Sequence, residues 1–371
     1  MTALADTLDT EPFPDTEQLG YQPRDMVLLG AGAAHVHLLR HLAKRPLIGA
    51  TVTLVTPYPR HTAANAAPNW VAGHTTLDDC TVALEPLVRR AGVRWLQRSV
   101  KALDAGTRNL LLDDGSTLQC GLLSIDTEPV HNRALTESAL PGARTHALFT
   151  LPFESFTALW PKVIDLGRER ALRIAVLGDG ARAIGIAMAV RQVLPTAAVT
   201  LVAGLAGAGH YAPVPLRQRL VRALKQRNIT VLSDTATALD GQSVMLGCGA
   251  ALACDVPLVA SEAQPAAWMA DSGLATDAQG FVAVDTCLRS TSHPHIWSMG
   301  ADSGPVLAAN LVAAIAGQAL HTAPAPRAGW QTQPCGNRYA VGTWGPLTFE
   351  GHSVWWLAQW IDRRAVARYR A

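Results

Sequence analysis

The chain has 371 residues, of which 49% are hydrophobic, and a formal net charge of +2 at pH 7. This length predicts two nucleotide-sized domains and a tail rather than one small core. The balanced charge argues against a nucleic-acid-binding face, and no apolar run reaches the roughly 20 residues that a membrane-spanning helix needs.

Residues 1–24 are acidic and lack the basic start and apolar core of a secretion signal, so they are predicted to form a flexible tail. The six cysteines are scattered and include no C-x-x-C pair, which favours reduced structural thiols over a metal cage or a redox disulfide. The histidines also lack ligand-like spacing, and no metal site is predicted. Together these features predict a cytoplasmic protein.

The first predicted unit is a strand, a glycine turn, a helix and a second strand. DMVLLGAGAAHVH (25–37) begins with an apolar run that breaks at Gly30 and Gly32, and ATVTLV (50–55) is a β-branched strand. A dinucleotide site needs glycine at such a turn, because only glycine permits the bend and the close approach of a pyrophosphate to backbone N–H groups. His35 stands at the third glycine position. A turn without a ligand is the alternative, but the surrounding βαβ pattern favours a nucleotide site.

The same pattern returns in RIAVLGDGARAIGIAMAVRQVL (173–194) and AVTLVAG (198–204), which predicts an α/β fold with two Rossmann-like domains. Gly178 and Gly180 form the second turn, and Ala183 replaces its third glycine. Arg182 either pairs with a phosphate or fills the cleft. The strand that ends at residue 204 carries no acidic residue, so the usual acceptor for a ribose hydroxyl is missing.

The remaining elements are smaller. The sequence predicts a helix over 84–91, a hairpin over 109–120, an amphipathic helix over 216–228, short strands over 229–260, two strands within 280–304 and a helix over 304–320. Two prolines, at 324 and 326, then mark a linker to a segment rich in tryptophan and arginine. Its amphipathic helix is predicted to contact a protein partner, a second copy of the chain or a membrane interface.

These motifs resemble the flavin-dependent pyridine nucleotide oxidoreductases that are similar to type II NADH dehydrogenases. Within that group the chain resembles most the branch often fused to selenide, water dikinase, and the likeness spans about residues 25–371. The matching stretches are GAGAAHVHLLRHL (30–42), NWVAGHTTLDDCTVALEPLVRRAGVRWLQ (69–97), GFVAVDTCLRSTSHPHIW (280–297) and GPLTFEGHSVWWLAQWIDRRAVARY (345–369).

The resemblance implies an FAD-binding domain made of residues 25–150 and 258–325, with an NAD(P)H-binding-like domain, 151–257, inserted in it. Residues 326–371 would form an aromatic and basic α+β tail. Electrons would pass from NAD(P)H or a protein donor through FAD to a quinone or another acceptor, and the chain could bind at the periphery of the inner membrane. The implied FAD contacts are Gly30, Gly32, Ala33, His35, Gly300 and Asp302, and the implied NAD(P)H contacts are Gly178 and Gly180. No catalytic acid, base or nucleophile is identified.

Five departures from the family pattern fall at cofactor positions. Asp302 lies one place late after Gly300, and the segment before the helix at 304 is short. Glu128 and Glu262 replace crossover glycines, and Gly185 replaces an acid. A glutamate beside an anionic cofactor adds bulk and repulsion. Two functions are therefore predicted as alternatives: an FAD-dependent oxidoreductase, or a degenerate, inactive homologue that acts as a binding or scaffolding subunit, paired with an intact flavoenzyme.

Overall fold

The computed structural model describes residues 25–63, 66–128, 130–299, 303–324 and 329–370. The first part of the chain builds most of one sheet and a small antiparallel sheet. Its elements are β1 (Asp25–Leu29), α1 (Ala33–Lys44), β2 (Thr51–Val55), β3 (Arg60–Thr62), α2 (Ala66–Val71), α3 (Leu77–Cys80), β4 (Thr81–Ala83), α4 (Leu84–Ala91), β5 (Arg94–Leu96), β6 (Val100–Asp104), β7 (Asn109–Leu112), β8 (Thr117–Gln119) and β9 (Leu122–Ile125).

The middle part builds a second large sheet and a second small one. Its elements are α5 (Arg133–Ala139), α6 (Ala143–His146), β10 (Leu148–Phe149), α7 (Phe153–Glu169), β11 (Arg173–Leu177), α8 (Ala181–Val193), β12 (Ala198–Val202), α9 (Val214–Gln226), β13 (Thr230–Leu232), β14 (Ala236–Leu239), β15 (Ser243–Leu246), β16 (Ala251–Ala253), β17 (Val256–Val259) and a 3-10 turn (Ala267–Met269).

The last part returns to the first sheet and then forms the tail. It contains β18 (Ile296–Ser298), α10 (Gly304–Ile315), β19 (Trp330–Pro334), β20 (Ala340–Trp344), β21 (Leu347–Gly351) and α11 (His352–Arg370). Among the described residues, no helix is both long enough and apolar enough to cross a bilayer.

Two parallel five-stranded sheets form the centre of the fold. The first has the order β18-β9-β1-β2-β5 and the second β10-β17-β11-β12-β13. Strands β1 and β11 are buried along all but their first residue, as expected where helices cover both faces of a parallel sheet. The predicted fold of two Rossmann-like units is therefore confirmed. The second sheet includes residues 148–149 and 256–259, while the domain boundaries at 151 and 257 stay a prediction.

The last strand of the first sheet, β18, follows all strands of the second sheet in the sequence. The chain therefore crosses from the first unit to the second and back again. A single apolar cluster also connects them. Trp70, next to Val71 on α2, packs edge-on against Phe153 and Phe156 of α7, at ring distances of 5.6 and 6.1 Å. The faces of the two units are thus joined by a dry aromatic contact.

Two predicted elements differ from the structure. The segment over 280–299 contains one strand, β18, and otherwise isolated bridges, because the Asp285 carboxylate accepts hydrogen bonds from the amides of Cys287 and Arg289 and bends the chain. The helix predicted over 304–320 ends at Ile315, and Gly317 follows in a left-handed conformation.

Candidate functional site

The first glycine turn joins β1 to α1 at the carboxyl edge of the first sheet. Gly30 has φ of +88°, and an added Cβ would overlap the backbone of Asp126 and Thr127. Gly32 is the N-cap residue of α1. Because both the left-handed backbone and the close approach exclude a side chain, position 30 needs glycine whether or not a ligand binds.

The side chain of Asp126 covers the amino end of α1. Its buried carboxylate accepts hydrogen bonds from the amides of Ala34 at 2.9 Å and His35 at 3.1 Å, and it fills the space beside Gly32. Amides in the first turn of a helix are the donors that hold a dinucleotide pyrophosphate. Asp126 thus uses two of these donors, while the half-buried amide of Ala33 has no acceptor among the described residues.

His35 is fully buried and connects the turn to β9. Its Nδ1 lies 2.7 Å from the carbonyl oxygen of Gly30 and its Nε2 2.8 Å from Oγ of Ser124. Since a carbonyl can only accept, Nδ1 carries the proton and the serine hydroxyl donates to Nε2. Burial lowers the pKa of His35, although the charge of Asp126 and the Gly30 carbonyl oppose this shift. Both ring nitrogens are thus bonded inside the protein, and the contact of His35 with FAD stays a prediction.

Glu128, one of the departures from the family pattern, is paired with a histidine that the sequence analysis did not select. Nδ1 of His61 donates to the carbonyl oxygen of Ala31 at 2.8 Å and lies 3.3 Å from Oε1 of Glu128. Burial lowers the pKa of His61, but the hydrogen bond and charge of Glu128 outweigh it, so the net shift is upward. His61 and Glu128 therefore lie together on the inner side of the turn.

A cavity of about 620 Å³ opens beside Gly30. It lies at the carboxyl ends of β1 and β2, where nucleotides bind in doubly wound folds. Tyr58 and Trp268 contribute aromatic walls, and the rim carries cations. The rim cations are Arg98, Lys101, Arg133 and Arg144. The size and aromatic walls of the cavity fit the adenosine half of an FAD, while Glu128 adds one carboxylate to its lining. Gly300 and Asp302, the predicted ribityl contacts, lie outside the described residues.

The second glycine turn joins β11 to α8 and is surrounded by carboxylates. Gly180 is the N-cap residue of α8, and the carboxylate of the exposed Glu262 occupies the space that a Cβ on Gly180 would fill. Asp179 lies 3.4 Å from Nδ1 of His210 and faces Gly204 at the end of β12. Arg182 is largely buried, and its Nε has no hydrogen-bond partner among the described residues. Burial lowers the pKa of Arg182, although the charge of Glu262 opposes this shift.

Gly185 lies in a dry contact between the two units. An added Cβ would lie 2.7 Å from Nε2 of Gln333 and 2.9 Å from Cγ of Pro68. The position at which the family pattern has an acid is therefore packed against α2 and β19. The carboxylates around Gly180 oppose an anionic dinucleotide, while the contacts of Gly178 and Gly180 with NAD(P)H stay a prediction.

The segments that follow β9 and β17 are tied to each other above the sheets. Nε2 of His131 donates to the carbonyl oxygen of Ser261 at 3.0 Å, and the amide of Asn132 donates to Oε1 of Gln264 at 2.9 Å. Burial, with a smaller contribution from Arg182, lowers the pKa of His131 to about 4. The neutral imidazole thus joins the two units next to both glycine turns.

The tail contacts the helices of both sheets. Nε1 of Trp355 on α11 donates to Oδ1 of Asn69 at 3.2 Å, and the ring of Tyr369 packs edge-on against His61 at 6.0 Å. On the other side, Arg219 of α9 pairs with Glu350 at 2.8 Å. The outer face of the tail exposes Trp344, Leu347, Trp356, Leu357 and Trp360.

Neither metals nor disulfides organise the part of the chain that the structure describes. No group of three or more His, Cys, Asp or Glu side chains there could hold a metal ion. None of the six cysteines forms a disulfide within the described residues; Cys80, Cys120, Cys254 and Cys335 are buried.

Comparison with known proteins agrees with this geometry. A family model described as "Pyridine nucleotide-disulphide oxidoreductase", a family of FAD- and NAD(P)H-binding enzymes, matches residues 24–314. No curated protein sequence matches the chain. Among solved structures, the sulfide:quinone oxidoreductase of the hyperthermophilic bacterium Aquifex aeolicus has a TM-score of 0.73 and 14% identity, over 94% of this chain and 91% of that one.

Two further structures are similar. NDH2 of Plasmodium falciparum, in complex with NADH, has a TM-score of 0.71 and 12% identity, over 94% of this chain and 97% of that one. The covalent putidaredoxin reductase–putidaredoxin complex gives 0.69 and 15%, over 87% and 81%. At these identities the likeness shows the fold.

Proposed function

The chain belongs to the pyridine nucleotide-disulphide oxidoreductase family, and from this premise we propose that it transfers electrons through an FAD bound on the first sheet. Family membership supports flavin-dependent electron transfer as the class of chemistry. The observation that carries the proposal for this chain is the cavity of about 620 Å³ beside Gly30, at the edge where doubly wound sheets bind nucleotides.

In this proposal the protein binds and orients, and the cofactor supplies the redox chemistry. The aromatic walls of the cavity and its cationic rim would hold the adenosine half, and the Ala33 amide would donate to the pyrophosphate. His61 and His35 would fix the backbone of the turn through the carbonyl oxygens of Ala31 and Gly30. FAD, when bound, accepts electrons from a donor and passes them to an acceptor.

The proposal also covers the electron donor, the electron acceptor and the branch of the family to which the chain is similar. The two electron donors that the sequence predicts are NAD(P)H and a protein, and of these we propose the protein, because carboxylates surround the second glycine turn. We propose a quinone or another acceptor as the destination of the electrons. The similar structures include a sulfide:quinone oxidoreductase and a reductase joined to its partner putidaredoxin, and these support a quinone and a protein partner as candidates. The motifs at 30–42 and 345–369 favour the branch often fused to selenide, water dikinase.

An absorbance spectrum of the purified protein tests the proposal. We expect a yellow protein that releases FAD on denaturation. Ala134→Trp should lower the affinity for added FAD by about tenfold or more, because Ala134 is exposed at the cavity wall and an indole would fill the space. Ala171→Trp, at an exposed position away from the cavity, should change nothing. A colourless protein that takes up no added FAD would exclude the proposal.

A second function is favoured by the position of Asp126. Its carboxylate already fills the space beside Gly32 and holds two amides of the predicted pyrophosphate site. This arrangement supports a degenerate homologue that has kept the fold and lost the cofactor, and that acts as a binding or scaffolding subunit beside an intact flavoenzyme. Failure of the wild type to take up FAD would favour this alternative.

We further propose that the tail makes a peripheral membrane contact. Trp356 and Trp360 are each more than half exposed on α11, and Arg363 and Arg364 follow on the same helix. Exposed indoles beside arginines suit the surface of an anionic bilayer. The wild type should therefore sediment with vesicles that contain anionic lipid, and Trp356→Ser combined with Trp360→Ser should abolish this. Equal sedimentation of both proteins would contradict the contact.

A further inference from the structure

We infer that the second glycine turn is closed to pyridine dinucleotides and that Glu262 is the residue that closes it. The consequence for electron transfer, that the donor is not NAD(P)H, rests on the proposed function. The statement about binding does not, because it concerns the second sheet alone.

The carboxylate of Glu262 obstructs the second glycine turn sterically. Gly180 stands at the start of α8, where the lack of a Cβ would normally let a pyrophosphate approach the backbone. In this chain the carboxylate of Glu262, three residues beyond the end of β17, occupies that space. A side chain of the protein therefore lies where a pyrophosphate would contact the backbone of Gly180.

The turn also opposes a pyrophosphate electrostatically. A pyrophosphate is an anion, and the turn already presents the carboxylates of Asp179 and Glu262. His210 lies 3.4 Å from Asp179. Arg182 is attracted to Glu262, but among the described residues its Nε has no hydrogen-bond partner. The two carboxylates thus outnumber the one guanidinium at the turn. Like charges in a partly buried site repel more strongly than in water, so the turn disfavours a phosphate.

The helix that begins at this turn is also covered farther along. Gly185 of α8 lies against Pro68 of α2 and Gln333 of β19. This contact adjoins the aromatic packing of Trp70 on Phe153 and Phe156. The first unit and the tail therefore hold α8, and with it the second glycine turn, in place.

Direct binding measurements on the full chain test the inference. Calorimetric titration of the wild type with NADH and NADPH should show no binding below the millimolar range. Glu262→Gly restores glycine at the crossover and should tighten the binding of ADP-ribose by about tenfold or more. ADP-ribose carries the pyrophosphate of the dinucleotide without its nicotinamide. Glu262→Gln keeps the size and removes the charge, so the difference between the two variants separates repulsion from bulk. Glu169→Gln, on the exposed end of α7, is the control for charge removal.

The outcomes are distinct. Micromolar binding of NADH or NADPH by the wild type would overturn the inference and leave the proposed flavin site intact. A folded Glu262→Gly protein, checked by circular dichroism, that binds ADP-ribose no better than wild type would overturn the role of Glu262. Lack of FAD in the wild type would remove the proposed function without affecting this titration.

Discussion

Replacing Gly185 by glutamate is expected to destabilise the folded chain by roughly 3 kcal/mol or more. The added Cβ alone would lie 2.7 Å from Nε2 of Gln333 and 2.9 Å from Cγ of Pro68. A proline ring cannot move aside as a flexible side chain can, and the carboxylate would enter a dry contact without a cation. Urea unfolding followed by circular dichroism measures the loss.

Two variants make this result specific. Gly185→Ala should also destabilise, by about 1 kcal/mol or more, although alanine normally stabilises a helix relative to glycine. Gln192→Glu places the same side chain at an exposed position of the same helix, and should change stability by less than about 0.5 kcal/mol. If Gly185→Glu were as stable as wild type, the close packing of α2 against α8 would be disproved.

Lowering the pH from 6.5 to 4 is expected to remove about 3 kcal/mol of stability through His131 alone. Its pKa in the folded protein lies near 4, below the ordinary value of 6.5. As the pH falls, the unfolded chain therefore takes up the proton first, and the equilibrium shifts toward unfolding. The physical cause is that Nδ1 is buried beside the ring of Phe149 and has no hydrogen-bond partner among the residues that the structure describes, so a proton there is unsatisfied.

The contribution of His131 to the pH dependence of stability is obtained by comparing wild type with a His131 variant. His35 should act in the same direction, because its pKa is also lowered by burial. His61 acts in the opposite direction: its raised pKa gives stability that is present below the unfolded pKa and is lost as the pH rises. His131→Gln keeps a donor for Ser261 and should flatten the pH dependence between 4 and 6.5. His41→Gln, exposed on α1, is the control, and an unchanged slope in His131→Gln would refute the assignment.

The fold could be predicted from the sequence because its signals are local. The apolar strand, the glycine turn and the helix lie within 21 consecutive residues at both sites, and the structure has β1 and α1, and β11 and α8, where the patterns place them. The helix predicted over 84–91 is α4, and the one predicted over 216–228 is α9 with shifted ends. Hydrophobic periodicity and glycine conformation are properties of short windows, which explains this agreement.

The candidate site could be predicted only in part because its contacts join distant segments. The Ala34 amide and the Asp126 carboxylate are 92 residues apart, and no local pattern indicates that the acid would cap this helix. The sequence shows that Glu128 and Glu262 depart from the family pattern, but it does not show which residues contact them. A glutamate in place of glycine predicts repulsion of a cofactor; only the structure shows His61 beside Glu128 and the Glu262 carboxylate beside Gly180.

The tail has a consequence for how the protein is made. Its helix holds Asn69 and His61 of the first unit, while Glu350 on the strand before it holds Arg219 of the second. These contacts come from residues that a ribosome translates after both sheets. We therefore expect the nascent chain to build its two units and the Trp70 contact between them first, and to reach its final stability only after residue 369 has emerged.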